Sequence, residues 1–427
     1  MKVQLLCALS DSNVDVTKST NQRQLSISIS AIADEFAQHL PLNLCLILDQ
    51  SASMQGKPIA TVIEAVEQLL DQLQPFDNRI SVVAFARSAE VIIPNQKIQD
   101  TASIKAQIKD KLKTGGGTSI AEGLELGITE LMKGTKGAVS QAFLLTDGRG
   151  ESSLRIWKFQ IGKDDNQRCQ EFAHKATKIN ITINTLGFGD DWNQDLLEKI
   201  ADAGGGTLAY IERPEQVLDQ FHHLLKRIQS VRLTNAHLLL SFVPQVRLAE
   251  FKPVAQVSPD TIELPVQPET HGGFAVRLGD LMQNIERVVL ANIYLGELPQ
   301  GKQIIGHLQI RYDDPSTNKQ DLFSPIVPIY VDVVKPYQPA PNVLVQQSIL
   351  ALAKYRQTQL AEMKLQQGDT VGAATMLQTA AQTALQIGDQ SAATVLQSSA
   401  TRLQAGEELS PADLKKTRIA SKTVLQH

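Results

Sequence analysis

Three hydroxyl and two carboxylate side chains stand beside short apolar runs of this sequence, where they could bind a cation. Asp49 follows the run LNLCLIL, and Ser51 and Ser53 come after it at alternate positions. Alternate residues of an extended segment point to the same side, so these three side chains can converge on one point. Further oxygen ligands are available from Thr118 in TGGGTSI and from Asp147, which follows the run QAFLLT. The five side chains together predict a metal site.

The chemistry of this donor set indicates which metal the site would take. All five side chains offer oxygen, and no histidine or thiolate is among them. Such a set selects Mg²⁺, with Mn²⁺ or Ca²⁺ possible, over zinc or copper. Mg²⁺ requires near-octahedral coordination and usually keeps waters, so a set of short side chains is expected to leave one position open. A carboxylate from a partner protein could fill that position.

The elements that must position these residues are predicted from the pattern of residues 42 to about 229. Short apolar runs alternate there with helical patterns, which is typical of a doubly wound, mostly parallel α/β sheet. Ligands of such sheets bind at the carboxyl ends of the strands, where Asp49 and Asp147 stand. Glycines 115–117 would let the backbone pass close to the site and bring Thr118 inward.

The rest of the chain divides by composition. The strands of residues 1–40 need partners, and the nearest unclaimed antiparallel strands come after the α/β segment, so we expect the α/β domain to be inserted in, or followed by, a β-sandwich. The predicted segments are N-terminal strands of the sandwich at 1–40, the α/β domain at 41–229, the β-sandwich at 230–335, a proline linker at 336–342, a helical hairpin or three-helix unit at 343–405, and a basic, flexible tail at 406–427.

The motif Asp-x-Ser-x-Ser at 49–53, with Thr118 and Asp147, resembles the metal-ion-dependent adhesion site of von Willebrand factor type A domains. The resemblance covers about residues 42–225, and the stretch TLGFGDDWNQDLLEKIADAGGGTLAYI is similar to the late part of bacterial members. It implies that the two serines and the threonine contact the metal, that the aspartates act directly or through water, and that a partner's Glu or Asp completes the shell. The domain arrangement also resembles inter-alpha-trypsin-inhibitor-heavy-chain-like proteins.

One connection departs from that family's pattern. Residues 149–175 form a long segment between Asp147 and the next predicted strand, and it contains Trp157 and Phe159. These aromatic side chains could frame a partner surface beside the metal or could pack locally, and the sequence leaves both alternatives open.

Enzyme functions fit the sequence less well than a binding function. A phosphotransferase of the haloacid-dehalogenase type needs a second acid two residues after its aspartate, where this chain has Ser51. A Gly-x-Ser-x-Gly elbow and the Gly-Lys-Ser/Thr ending of a phosphate loop are also missing from the motifs at DQSAS and TGGGTS. We therefore expect a non-enzymatic, Mg²⁺-dependent protein-interaction module in signalling or complex assembly. The alternative is a subunit that docks substrate or ATPase in an AAA+ machine resembling MoxR-associated or chelatase components.

Composition gives no indication of a nucleic-acid partner and predicts a compartment. The formal net charge of -4 does not suggest binding to nucleic acid. The three scattered cysteines fit a reducing compartment. No run of about 18 apolar residues predicts a membrane span, and the amino-terminal stretch lacks the pattern of a signal peptide. We expect a cytoplasmic protein.

The last residues, LKKTRIASKTVLQH, suggest a possible modification site. Basic side chains surround Thr417 and Thr423, as in substrates of basophilic kinases. Phosphorylation would add about two negative charges, so the segment could bind a Ser/Thr kinase or a phosphothreonine-binding domain. The alternative is a solvated basic end without such a role.

Overall fold

A computed structural model describes residues 2–32, 40–73, 77–135, 137–148, 165–189, 192–269 and 272–422. The chain forms two compact units. The α/β unit comprises residues 35–234 and 313–320, and the second unit comprises residues 1–34, 235–312 and 321–427.

The strands are β1 (Lys2–Leu9), β2 (Asn13–Asp15), β3 (Asn21–Ile32), β4 (Leu42–Asp49), β5 (Arg79–Phe85), β6 (Ala89–Lys97), β7 (Val139–Thr146), β8 (Ile181–Phe188), β9 (Gly205–Ile211), β10 (Val231–Phe242), β11 (Val246–Leu248), β12 (Val254–Ser258), β13 (Ile262–Glu263), β14 (Val266–Pro268), β15 (Phe274–Met282), β16 (Arg287–Leu295), β17 (Gly301–Asp314), β18 (Lys319–Phe323) and β19 (Val327–Val334).

The helices are α1 (Lys57–Leu73), α2 (Thr101–Lys111), α3 (Ile120–Leu131), α4 (Asp165–Lys178), α5 (Gln194–Gly204), α6 (Val217–Gln229), α7 (Val343–Gln366), α8 (Thr370–Gln386), α9 (Gln390–Gln404) and α10 (Pro411–Lys422). None of the helices in the described ranges is long and apolar enough to cross a membrane.

The α/β unit is built on a six-stranded sheet with the order β6-β5-β4-β7-β8-β9. Its neighbouring strands run parallel except at the edge, where β6 is antiparallel to β5. The inner strands β4 and β8 are buried along their whole length, as expected for a sheet with helices on both faces. Helices α3, α4 and α5 share one apolar cluster with the sheet, and α1 packs against α6.

The second unit contains two sheets, with the orders β1-β3-β16-β12-β13 and β14-β15-β10-β17-β19-β2. Strand β3 pairs with β16 and β2 pairs with β19, so strands from before and after the α/β segment share the same sheets. This topology confirms the expected fold class, in which an α/β domain with further sheets is followed by a helical segment.

The four carboxyl-terminal helices form one cluster in the second unit, since each helix contacts the next and α10 also contacts α7. The two Gly-Asp pairs act as expected at the turns. Gly368 and Gly388 have positive φ angles of 79° and 78°, and Asp369 and Asp389 cap the amino termini of α8 and α9. The core of the cluster is mainly alanine and leucine.

The carboxyl-terminal segment differs from the flexible tail expected at 406–427, because residues Pro411–Lys422 form α10. The side chains that this helix buries are Lys415, Thr417 and Ser421. These residues are polar, so the helix has no apolar stripe that hydrophobic periodicity could detect. The helical segment therefore has a fourth helix beyond the predicted hairpin or three-helix unit.

Candidate metal centre

The two central strands of the α/β sheet bring the two motif aspartates to the same edge. Strands β4 and β7 are parallel neighbours, with Leu48 opposite Leu145. Asp49 is the last residue of β4, and Asp147 comes directly after β7. Because the carboxyl ends of parallel strands meet at one edge, both carboxylates lie at the place where open α/β sheets bind ligands.

The hydroxyl groups of the motif lie between these aspartates. The Oγ atoms of Ser51 and Ser53 are 3.0 Å apart, and the Ser53 hydroxyl donates a hydrogen bond of 2.7 Å to Oδ1 of Asp147. Thr118 borders the same turn, because a Cβ atom added to Gly148 would lie 3.0 Å from the Thr118 Oγ1. The structure thus brings together the five residues that the sequence singled out.

Asp49 lies deepest in this group and is 0% exposed. Its Oδ1 accepts a hydrogen bond of 2.8 Å from the backbone N–H of Ser51, and its Oδ2 accepts one from the hydroxyl of Thr146. Burial raises the pKa of Asp49 to about 6; the nearby charge of Asp147 adds to this, while the hydrogen bonds from Ser51 and Thr146 act against it. A cation close to Asp49 would offset the cost of its buried charge.

Two further residues support the site and were not identified from the sequence. Thr146 is buried, donates to Asp49 and accepts a hydrogen bond of 3.0 Å from the backbone N–H of Gly148. The Gln50 side chain donates to Glu90 at 2.9 Å and accepts from the backbone N–H of Lys113 at 3.3 Å. Each is a polar residue next to a motif aspartate in the sequence, and this adjacency could have identified both as supporting residues.

The glycine run before Thr118 approaches the Asp-Ser-Ser turn as the sequence predicted. The backbone N–H of Ala52 donates to the carbonyl of Gly116 at 3.3 Å, and that of Gly115 donates to the carbonyl of Gln50 at 2.8 Å. Gly116 has a φ of 82°, a conformation that favours glycine. The loop therefore joins the Asp-Ser-Ser turn through backbone hydrogen bonds.

The donor set fits Mg²⁺ by chemistry and by spacing. Oxygens at about 2.1 Å from an octahedral ion lie about 3 Å from their neighbours, and the separations of 3.0 and 2.7 Å among Ser51, Ser53 and Asp147 are of that size. No cluster of three or more His, Cys, Asp or Glu side chains in the described part of the chain could hold a metal. A metal bound here would therefore need the hydroxyl oxygens as ligands, unlike a metal in a zinc or copper site.

Thr417 does not fit the exposed phosphorylation site suggested by the sequence. It is 2% exposed, and its Oγ1 lies 3.0 Å from the Ser399 Oγ. A kinase could reach this hydroxyl only if α10 separated from α9. Thr423, Trp157 and Phe159, the other residues that the sequence suggested for modification or for a partner surface, lie outside the described residues.

Sequence comparisons match two regions of the chain to family models and the whole chain to a relative of similar length. The family model of the von Willebrand factor type A domain matches residues 43–223, and that of the Sll0103-like C-terminal alpha-helical domain matches residues 344–427. The uncharacterized protein sll0103 of Synechocystis sp. is 52% identical over 427 residues, which cover 100% of this chain and 98% of that protein.

The inter-alpha-trypsin inhibitor heavy chain H4 of Bos taurus is 26% identical over 208 residues, or 46% of this chain. The match spans only 21% of the heavy chain.

Solved structures that resemble the whole chain include two of low sequence identity. A von Willebrand factor type A protein from Catenulispora acidiphila has a TM-score of 0.80 at 17% identity, with 99% of this chain and 97% of that chain covered. The ArnB paralog VWA2 from Sulfolobus acidocaldarius has a TM-score of 0.56 at 16% identity, with 99% and 98% covered. At these identities the likeness concerns the fold alone.

Proposed function

Because the chain is a von Willebrand factor type A domain protein and belongs to the family of the Synechocystis protein sll0103, we propose that it is a Mg²⁺-dependent protein-interaction module that binds a carboxylate of its partner. Domains of this type commonly mediate protein interactions. The observation that carries the proposal is the convergence of Ser51, Ser53 and Asp147 at separations that suit one octahedral ion.

Each residue has a distinct role in this proposal. Ser51, Ser53 and Thr118 would hold the ion through neutral oxygens, and Asp147 would add charge beside them. Both oxygens of Asp49 already accept protein hydrogen bonds, so its role would be to fix the turn and to add negative charge behind the hydroxyls. A bound Mg²⁺ would supply a positive charge that a shell rich in neutral hydroxyls neutralises only in part. A carboxylate from the partner would therefore bind at the remaining position.

The proposal includes no catalytic step and places the protein in the cytoplasm. Ser51 occupies the position where a phosphotransferase of the haloacid-dehalogenase type would carry its general acid. In the described part of the centre, the acidic side chains of the donor set are Asp147, which would lie beside the ion, and Asp49, which would fix the turn, so neither is assigned as a general base.

Isothermal titration calorimetry with MgCl₂ tests the metal site. The wild-type protein and an Asp147→Ala variant would be compared with Asp110→Ala, which removes an exposed aspartate from α2. We expect the wild type and Asp110→Ala to bind one Mg²⁺ and Asp147→Ala to lose most of that binding. A wild type that binds no Mg²⁺, or an Asp147→Ala variant that binds it normally, would contradict the assignment.

Affinity capture from lysate of the native source then tests the interaction. The same three proteins would be used as bait in Mg²⁺ and again in EDTA. A partner retained by the wild type and by Asp110→Ala in Mg²⁺, and lost with EDTA or with Asp147→Ala, is the expected result. A partner retained equally under all conditions would show that the interaction does not use the metal.

A further inference from the structure

The second unit contains a cavity of about 480 Å³ that has no part in the metal centre. Its floor is the outer face of the sheet formed by β1, β3, β16 and β12, its roof is the first turns of α7, and one end is closed by the turn between α8 and α9. We call this space the α7 cavity. Pockets of this size with mostly apolar walls are typical of sites for small molecules.

The sequence of β3 explains why α7 leaves a gap over the sheet. Its alternating residues Leu25, Ile27 and Ile29 are fully buried, so the serines between them point to the opposite face, under the helix. Ser28 lies between Leu6 of β1 and Val288 of β16 in the same rung. Because serine is shorter than its neighbours, the middle strand forms a trough between apolar walls.

Helix α7 is held above this trough by its own apolar contacts. Val345 is buried and packs with Val257 and Leu290 of the sheet. The helix residues that line the cavity further along include the small Ser348 and Ala351. Small side chains on both surfaces therefore keep the space open, while the helix itself is anchored beside it.

The walls of the α7 cavity include large apolar side chains that remain exposed to solvent. Leu6 is 55% exposed and Leu344 is 73% exposed, and both line the cavity. Covering such side chains with a ligand would be favourable by about 25 cal/mol per Å² of apolar surface removed from water. The cavity therefore favours an occupant with an apolar body.

The charges that line the cavity are all negative. They belong to Glu286 and Asp389, and no lysine, arginine or histidine is among the lining residues of the described chain. The carboxylate of Asp389 is already occupied, because Oδ2 accepts from Lys354 at 2.7 Å and Oδ1 accepts from the backbone N–H of Ala392 at 3.0 Å. Glu286 is exposed and accepts a hydrogen bond from the Ser28 hydroxyl through Oε1. It forms no ion pair within the described ranges.

We propose that the α7 cavity binds a small amphiphilic amine, whose apolar body lies in the serine trough and whose ammonium group meets the carboxylate of Glu286. Charge complementarity favours an amine over an acid, because an anionic head group would meet the carboxylate of Glu286, whereas the second lining carboxylate, that of Asp389, is already paired with Lys354. The apolar walls favour an amphiphile over a polyamine. The proposal does not depend on the metal centre.

Isothermal titration calorimetry with three probes of equal chain length tests this site. The full-length protein would be titrated with octylamine, 1-octanol and octanoate, each below its concentration of self-association. We expect octylamine to bind with one site and octanoate to bind at least tenfold more weakly. In Glu286→Gln the preference for octylamine over octanol should fall at least fivefold.

A second pair of variants separates the cavity from unspecific binding. Ser348→Phe places an aromatic ring in the cavity from α7, and Gln346→Phe places the same ring on an exposed, non-lining position of that helix. Ser348→Phe should abolish octylamine binding and Gln346→Phe should leave it unchanged. Circular dichroism during thermal unfolding checks that both variants fold like the wild type.

Three results would overturn the proposal. The first is the absence of octylamine binding in the wild type, and the second is equal binding of octanoate and octylamine. The third is sedimentation of the wild type as a dimer that Ser348→Phe converts to a monomer, since the occupant would then be a second copy of the chain. Failure of the Mg²⁺ titration alone would contradict the proposed function and leave this proposal standing.

Discussion

The carboxylate of Asp49 is buried in the metal-free protein at a cost in stability. Its pKa is raised from 3.8 to about 6, so the folded state holds the proton more tightly than the unfolded state does. Above pH 6 the ionised group therefore opposes folding, and a shift of this size corresponds to about 3 kcal/mol. A residue that destabilises the empty protein in this way is typical of a binding site.

An Asp49→Asn variant should be more stable than the wild type when no metal is bound. Asparagine keeps an acceptor for the Ser51 N–H and removes the buried charge, so we expect the metal-free α/β unit to gain about 1–3 kcal/mol at pH 7. Addition of Mg²⁺ should no longer stabilise the variant. Urea unfolding in EDTA and in MgCl₂ measures both effects, with Asp110→Asn as the control. A variant less stable than the wild type in EDTA would contradict the account.

The glycine after Asp147 should be needed for the position of Thr118. A Cβ atom at residue 148 would lie 2.9 Å from Cγ2 and 3.0 Å from Oγ1 of Thr118, closer than packed atoms normally lie. Gly148→Ala should push Thr118 aside and weaken Mg²⁺ binding by about tenfold, or about 1.4 kcal/mol. Gly115→Ala is the matched control, since a Cβ atom there meets nothing within 4 Å. Calorimetry that finds equal affinities for the two variants would exclude a role for Thr118.

The sequence predicts the residues proposed for the metal centre better than the residues that support them. Asp49, Ser51 and Ser53 form a short motif whose spacing alone implies convergence. The role of Thr146 depends on the pairing of β4 with β7, which brings its hydroxyl to Asp49. Strand neighbours of this kind are set by tertiary structure, so local sequence does not reveal them.

Helix α10 is an entire element that hydrophobic periodicity does not predict. The side chains that it buries are Lys415, Thr417 and Ser421, and the Thr417 hydroxyl meets the Ser399 hydroxyl in the interior of the helical cluster. A basic, polar sequence of this kind is typical of a solvated end. The helix is stabilised by hydrogen bonds to its neighbours, and these partners cannot be identified from the segment alone.

Introducing a charge at Thr417 should destabilise the helical cluster. Thr417→Glu would bury a carboxylate beside Ser399, and we expect a loss of at least 2 kcal/mol in the free energy of unfolding. Thr394→Glu, at an exposed position of α9, should change stability by less than about 0.5 kcal/mol. Circular dichroism during thermal unfolding measures the difference. Equal stability of the two variants would show that Thr417 is accessible and would restore it as a candidate phosphorylation site.

The two equivalent helix caps of the cluster should respond differently to acid and to substitution. Burial acts to raise the pKa of Asp389, but the hydrogen bonds from Lys354, Ala392 and Ser391 outweigh it and hold the pKa below its usual value. A lowered carboxyl pKa stabilises the fold above the unfolded-state value of about 4. That stability is lost as the pH falls through the lower, folded-state value.

Asp389→Asn should therefore cost about 3–5 kcal/mol at pH 7, because the Lys354 ammonium is 0% exposed and would lose the facing negative charge. Asp369→Asn changes the corresponding cap at an exposed ion pair with Lys364 and should lower the stability far less than Asp389→Asn does. Asparagine caps helices as well as aspartate does, so the cap itself is retained in both variants. Urea unfolding at pH 7 and pH 4 is the measurement, and equal losses would contradict the buried-pair account.

The division of the chain into two units predicts where Mg²⁺ will act. Every residue assigned to the metal lies in the α/β unit of residues 35–234 and 313–320, whereas the carboxyl-terminal helices belong to the other unit. Each unit has its own apolar core, so local opening in one need not follow opening in the other.

Hydrogen–deuterium exchange should therefore show protection by Mg²⁺ that is confined to one part of the chain. Peptides covering residues 49–56, 113–120 and 145–148 should exchange more slowly in Mg²⁺ than in EDTA, because the ion would tie these three segments together. Peptides from α7 to α10 should exchange at the same rate in both buffers. The Asp147→Ala variant should lose the protection, which separates bound metal from a general salt effect. If the helices were protected to the same degree as the loops, the two units would unfold as one cooperative structure, and the metal would stabilise the full chain.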